Sequence, residues 1–181
     1  MEILLCQPSV ACRCAVLYSL GMANLFRTIE FLGLGLWLGS DVFLSFVVAP
    51  GAFRILPSRD SAGAIVGFGL GRMHLLGVIC GAVLLLARLL RTRTFASLTT
   101  PAALWVVLMI LLTVVSQQAV SPKMATLRVQ MGSIQATSAD SPLLAEFGKL
   151  HRISISLESG VLLAGFAAMY LMVREIASAA K

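Results

Sequence analysis

The sequence predicts an all-α polytopic membrane protein: four transmembrane helices in an antiparallel bundle, with amphipathic surface helices in the first and third connections. Two observations carry that prediction. Of 181 residues, 59% are apolar and only 12% charged, where ordinary globular domains hold roughly twice that charge. The apolar residues also gather into four runs, about residues 28–53, 70–90, 101–120 and 151–173. With their flanks, each run is near or above the roughly 17–25 residues that cross a bilayer. In lipid every backbone polar group must be satisfied inside its own segment, so the runs are read as helices.

The net charge of +6 does not mark a nucleic-acid binder, because the basic residues are scattered and flank the apolar runs. Arg88, Arg91 and Arg93 cluster between the second and third runs with no acid among them. Interfacial arginines of this kind snorkel toward anionic headgroups. The partner implied is the lipid bilayer.

The first 21 residues, "MEILLCQPSVACRCAVLYSLG", lack the basic start and small-residue cleavage site of a secretory signal, and Pro8 and Arg13 interrupt them. "MANLFRT" from Met22 reads as a natural start. Residues 1–21 are therefore expected to be a leader extension, poorly packed or a misassigned start, ahead of a single four-helix membrane domain over 22–181. The cysteines are Cys6, Cys12, Cys14 and Cys80. Cys12-Arg13-Cys14 is a weak metal signal, and without a CxxC or Cys/His spacing neither a metal nor a cofactor is predicted.

The first span ends at Ala49-Pro50-Gly51, and "RILPSRD" follows as a turn. "SAGAIVGFGLGRMHLLGVICGAVLLLARLL" reads as one long helix, interfacial before Arg72 and spanning after it. Gly63, Gly67 and Gly71 recur every four residues, as do Gly77 and Gly81, and Gly35 and Gly39. That spacing puts small residues on one helix face, where backbones approach closely in lipid. Packing within the monomer is the preferred reading, a dimer face the alternative. Thr100-Pro101 opens the third span with Pro at the first helical position, and Trp105 lies one turn in, at headgroup depth. That span ends in Ser116, Gln117 and Gln118.

Ser121-Pro122 then begins a helix with Met124, Leu127, Met131 and Ile134 at helical spacing, expected to lie on the membrane surface. "ATSADSP" breaks it, and Ser141-Pro142 restarts the helix that becomes the fourth span. Tyr170 and Arg174 mark its exit. Four spans put both termini on one side, side A, with the loop around Arg91. Side B holds the first and third connections. Basic residues divide almost evenly, so only the compact, acid-free loop at 88–93 places side A in the cytoplasm, most simply of a bacterial inner membrane.

Three acids lie within the spans: Glu30, Asp41 and Glu158. A charge at the bilayer centre costs at least a few kcal/mol, so each should face the bundle interior or find a partner. Asp41 lies roughly 13 Å from the side-B end of its span, and Glu158 roughly 10 Å below His151. His151, Ser154 and Glu158 share one stripe, and Gln117, Arg72 and His74 belong to the same end of the bundle. Asp41, His151, Ser154, Glu158, Gln117 and Arg72 are the candidate ligand- or ion-binding residues. Glu30 stands apart near side A, within reach of Arg27, Arg88 or Arg174.

Three readings follow. In the leading one, the cluster handles a proton, small cation or solute, in a homo-oligomer or beside a membrane partner, because four short helices enclose little pathway alone. In the second, the polar groups only hold the bundle together, Asp41 with Arg72 and Glu158 with Ser154 or a glutamine. In the third, His74 and His151 ligate haem. No G-x-S-x-G, Walker loop, HExxH or credible dinucleotide fingerprint occurs, so the reading is not an enzyme.

The stretches "FVVAPGAFRILPSRDSAG", "SPKMATLRVQ" and "EFGKLHRISISLESGVLLAG" resemble the transmembrane protein 205-like family, a domain of unknown function in bacteria. The resemblance covers about residues 31–173. Its most specific parts are the turn with Pro50, Phe53, Arg54 and Pro57, the loop at Pro122, and Phe147 with His151 and Ser154. It implies four membrane helices and no established reaction, so no catalytic residue is carried over. "LGRMH" departs from the aromatic and proline frequent at that point in the family, which makes any role of His74 particular to this chain.

Overall fold

The computed structural model describes the backbone of residues 10–179 and the side chains of 21–178, all helix, turn or loop. Residues 1–9 of the leader lie outside the described residues, as do the side chains of Cys6, Cys12 and Cys14. The rest of the leader is helical, because α1 runs from Val10 to Phe43 (Val10–Phe43). It continues through a π-turn, Leu44–Val48, into α2 (Ala49–Ile55). Leu56 is extended, as a residue before proline must be. Ser58 then caps α3 (Arg59–Thr92), its Oγ accepting from the Ser61 N–H. Arg93, at φ 56°, ends α3. A 3₁₀ turn, Phe95–Thr99, leads to α4 (Pro101–Val115). A second π-turn, Ser116–Val120, joins it to α5 (Ser121–Met131), which Gly132 closes at φ 67°. After a loop, α6 (Pro142–Ala179) completes the chain.

Among the described residues, four helical runs are long and apolar enough to cross a membrane: Gly21–Ile55, Arg59–Thr92, Pro101–Met131 and Pro142–Ser178. This is a multi-pass membrane protein. α1 packs chiefly on α3 and α4 chiefly on α6, while α3–α4 and α1–α6 form thinner seams that close the ring. Neighbours in that ring run antiparallel, as in an up-down-up-down bundle.

Both π-turns have one physical cause. Pro50 and Pro122 lack an N–H, and their rings would strike the carbonyl four residues back, at Phe46 and Gln118. Each of those residues sits inside a π-turn. Widening the turn accommodates the ring and lets the helix go on. This changes the third connection. Instead of stopping at Gln118 and restarting on the membrane surface, the chain carries helix through to Met131. α5 then packs along the start of α6, with Leu127 buried.

The glycines divide by what lies on them. Trp37 lies flat across Gly77 and Gly81, where a methyl group at either position would overlap the indole. Leu38 likewise occupies the space over Gly165. These are contacts inside one chain. Gly63 and Gly67 seat the Arg128 guanidinium, with a Cβ at Gly63 only 3.1 Å from it. Gly35 and Gly39 have nothing within 4 Å and face outward.

The dry core lies mid-bundle: Leu34, Trp37, Leu38, Leu84, Val106, Met109, Val161, Ala164 and Ala168. At 1.5 Å per residue, α3 with its 34 residues is about 51 Å long, well beyond a hydrocarbon core of about 30 Å. Its first turns, with α5 and the start of α6, therefore stand beyond side B. Asp60 ties this projection together, accepting from Ser133 Oγ at 2.6 Å and the Ile134 N–H at 2.8 Å.

Candidate functional site

The polar residues of the spans collect in two layers, one at each side of the dry core. The side-B layer centres on His74. Its Nε2 lies 2.6 Å from Glu158 Oε1 and its Nδ1 2.8 Å from Gln117 Oε1. Both neighbours present oxygens, so this geometry fits a doubly protonated ring whose charge offsets the glutamate. Rotating the Gln117 amide by half a turn would offer an N–H instead and serve the neutral ring equally well. Ser116 Oγ donates to the same Glu158 oxygen at 3.3 Å. α3, α4 and α6 thus meet at one imidazole.

Asp41 is fully buried on α1, within Coulombic reach of Glu158 and His74. Ser45 Oγ donates to its Oδ1 at 3.3 Å. The π-turns supply much of this site: Ser45 comes from the first, Ser116 and Gln117 from the second. Turns of this kind occur disproportionately at functional sites. Four buried polar atoms here have no partner: Asp41 Oδ2, Glu158 Oε2, Trp37 Nε1 and Thr113 Oγ1. Among the described residues no three of His, Cys, Asp and Glu converge to hold a metal ion.

The other candidates fall elsewhere. His151 is exposed and stacks on Phe147, ring centroids 6.5 Å apart. It does not join the cluster. Ser154 is buried one turn before Glu158, but no hydrogen bond joins it to the cluster. Arg72 is exposed and rests over the Phe68 ring at 5.2 Å, so it does not pair with Asp41. Pro50 and Pro122 act through the π-turns. Phe53, Arg54 and Pro57 are exposed. Phe147 packs between Arg128 and His151. For the haem reading, both His74 ring nitrogens are engaged and His151 lies outside the cluster, so the two do not form an axial pair.

His74 is the residue that the spacing argument undervalued, though a signal was present. It precedes Gly77 by three positions and Gly81 by seven, which puts it on the face that packs Trp37.

The side-A layer is an ion network. Arg91 binds Glu30 through two bonds, Nε to Oε1 at 2.7 Å and Nη2 to Oε2 at 3.2 Å. Arg88 Nη1 lies 3.6 Å from Glu30, and its Nη2 lies 2.6 Å from Glu175. Arg88 also donates to the Ser97 carbonyl and to Thr100 Oγ1. Arg88 and Arg91 are therefore not free to snorkel toward headgroups. Their acids come from α1 and α6, remote in sequence, which is why the loop alone looked acid-free.

An all-α bundle with four membrane-crossing runs and buried charge at both ends defines a multi-pass integral membrane protein. Residues 32–133 match the family described as "Domain of unknown function (DUF4149)", and the chain belongs to that family. The match takes in Asp41, His74 and Gln117 and stops before Glu158. No curated protein and no solved structure matches the chain.

Proposed function

We propose that this membrane protein takes up and releases a proton or small monovalent cation at the Asp41–His74–Glu158 cluster. The observation that carries the reading is the pair of orphaned carboxylate oxygens, Asp41 Oδ2 and Glu158 Oε2, both buried in the layer around His74. Two ionised carboxylates in lipid would be costly. A cationic His74 balances one of them, and the remaining charge calls for one more proton or cation. Gln117 can turn its amide to follow the change at His74. The resemblance to the transmembrane protein 205-like family supports a small four-span protein and adds no substrate. A cytoplasmic side A in a bacterial inner membrane belongs to the same proposal and rests on the loop at 88–93.

The test is infrared difference spectroscopy of the reconstituted protein across pH, in the wild type, Asp41→Asn and Glu158→Gln. A carboxyl band that titrates, and that one of the two variants removes, is the expected result. A spectrum in which no carboxyl band changes would refute the proposal. Proton flux into proteoliposomes then separates binding from transport.

A second reading has its own support. The His74 contacts tie α3, α4 and α6 together, and an apolar core separates them from side A, as a purely structural clamp requires. Variants that lose thermal stability in detergent, from a wild type with no titrating carboxyl, would favour it.

A further inference from the structure

Beside His74, the α3–α4 seam opens into a lateral groove of about 570 Å³. Its walls include Leu75, Val78 and Val114, and Leu75 and Val114 are 55% and 41% exposed on the outer face of the bundle. The groove therefore opens toward the acyl chains of the bilayer, not along the bundle axis. Its polar end is made by Arg72 and Gln118, and Thr113 lies in its floor.

Two observations indicate that the groove receives a ligand. Thr113 is 1% exposed, yet its hydroxyl has no partner. Arg72 is held over the Phe68 ring, and no acid among the described residues pairs with it. The buried Arg88 and half-buried Arg91 of the same helix, by contrast, both have acid partners. Depth agrees. Arg72 precedes Arg91 by nineteen positions on α3, about 28 Å, which puts it at the far edge of a hydrocarbon core of about 30 Å.

The geometry points to a bound anionic phospholipid of the surrounding bilayer, its phosphate on Arg72 and Gln118 and one acyl chain in the α3–α4 groove. Charge complementarity selects the anionic head, and the open apolar walls select a membrane-resident chain. Bound there, the lipid lies against the stretch of the α3–α4 seam that holds His74 and Gln117. The proposal does not depend on proton uptake at the cluster.

The test is native mass spectrometry of the full chain, released from detergent with phosphatidylglycerol or phosphatidylcholine of matched acyl chains. The wild type should retain phosphatidylglycerol preferentially. Arg72→Gln should lower that preference about fivefold, the ratio that one basic residue commands at an anionic surface, while Arg54→Gln should leave it unchanged. Gly71→Leu should reduce retention of both lipids, since Gly71 lines the groove and has nothing within 4 Å. That open space lets the leucine enter without disturbing the fold, and an unchanged melting temperature would verify it.

Equal retention of the two lipids by the wild type would overturn the proposal. So would a preference that survives Arg72→Gln, or full retention by a folded Gly71→Leu. Displacement of phosphatidylglycerol by equimolar palmitate would overturn the choice of a phospholipid in favour of a free fatty acid.

Discussion

At the scale of single residues, the three charged members of the side-B cluster differ in what their removal leaves behind. His74→Ala strips Glu158 of its 2.6 Å partner and leaves the Gln117 amide oxygen without its bond. Breaking a buried pair from one side costs about 3–5 kcal/mol. Glu158→Gln keeps an acceptor for His74 and Ser116, so the expected loss is about 1 kcal/mol. Asp41→Asn removes a buried charge whose Oδ2 has no partner, and stability should hold or rise. Thermal unfolding in one detergent checks this order. An Asp41→Asn variant less stable than His74→Ala would contradict it. The acids themselves were legible in the sequence, because charge within an apolar run must face inward. The choice between the two histidines was not. His151 does share a stripe with Glu158, but it lies where α6 has already left the packed core, whereas His74 lies on the glycine face.

At the scale of elements, small residues have opposite consequences according to what covers them. Gly77→Ala places a methyl group in the volume of the Trp37 indole, and overpacking of this kind costs about 1–3 kcal/mol. Gly35→Ala and Gly39→Ala meet open space, so each should gain up to about 1 kcal/mol from helix propensity. Melting temperatures of the three variants, measured side by side, should fall on opposite sides of the wild type. The four spans were readable from length and hydropathy alone. Where the helices continue was not, because Ser121-Pro122 looks like a start signal until the π-turn at Ser116–Val120 is seen to absorb the proline ring. A π-turn also shifts the phase of everything after it, so one helical wheel drawn through residues 101–131 misplaces half of its residues.

At the scale of the whole molecule, two charged layers clamp a dry centre. On side A, Glu30, Arg88, Arg91 and Glu175 join α1, α3 and α6. Arg88 is 3% exposed, so Arg88→Gln should cost about 3–5 kcal/mol by leaving acids unpaired. Arg93→Gln, at an exposed position, should change stability by less than about 0.5 kcal/mol. Equal effects of the two substitutions, read by denaturation in detergent, would mean that the network contributes nothing. Glu30 with Arg88 is among the pairings the sequence allows, but the Arg91 and Glu175 contacts are not legible there, since pairing across the bundle depends on how each helix is rotated.

The outward-facing cations give the molecule a gauge of its surroundings. Arg72 on α3 and Arg93 at its C-cap are twenty-one positions apart, and Arg152 and Arg174 twenty-two along α6, all four exposed. Those intervals correspond to about 31 and 33 Å, so two opposite helices independently specify nearly the same hydrocarbon thickness. A helix that is too short for its bilayer must thin the lipid around it, and one that is too long must tilt. With both gauges set alike and tied together at either end, the bundle cannot tilt one helix without straining the other. Reconstituted into lipids of graded chain length, it should be most heat-stable where the hydrocarbon core is close to about 30 Å and weaken in thinner and thicker bilayers alike.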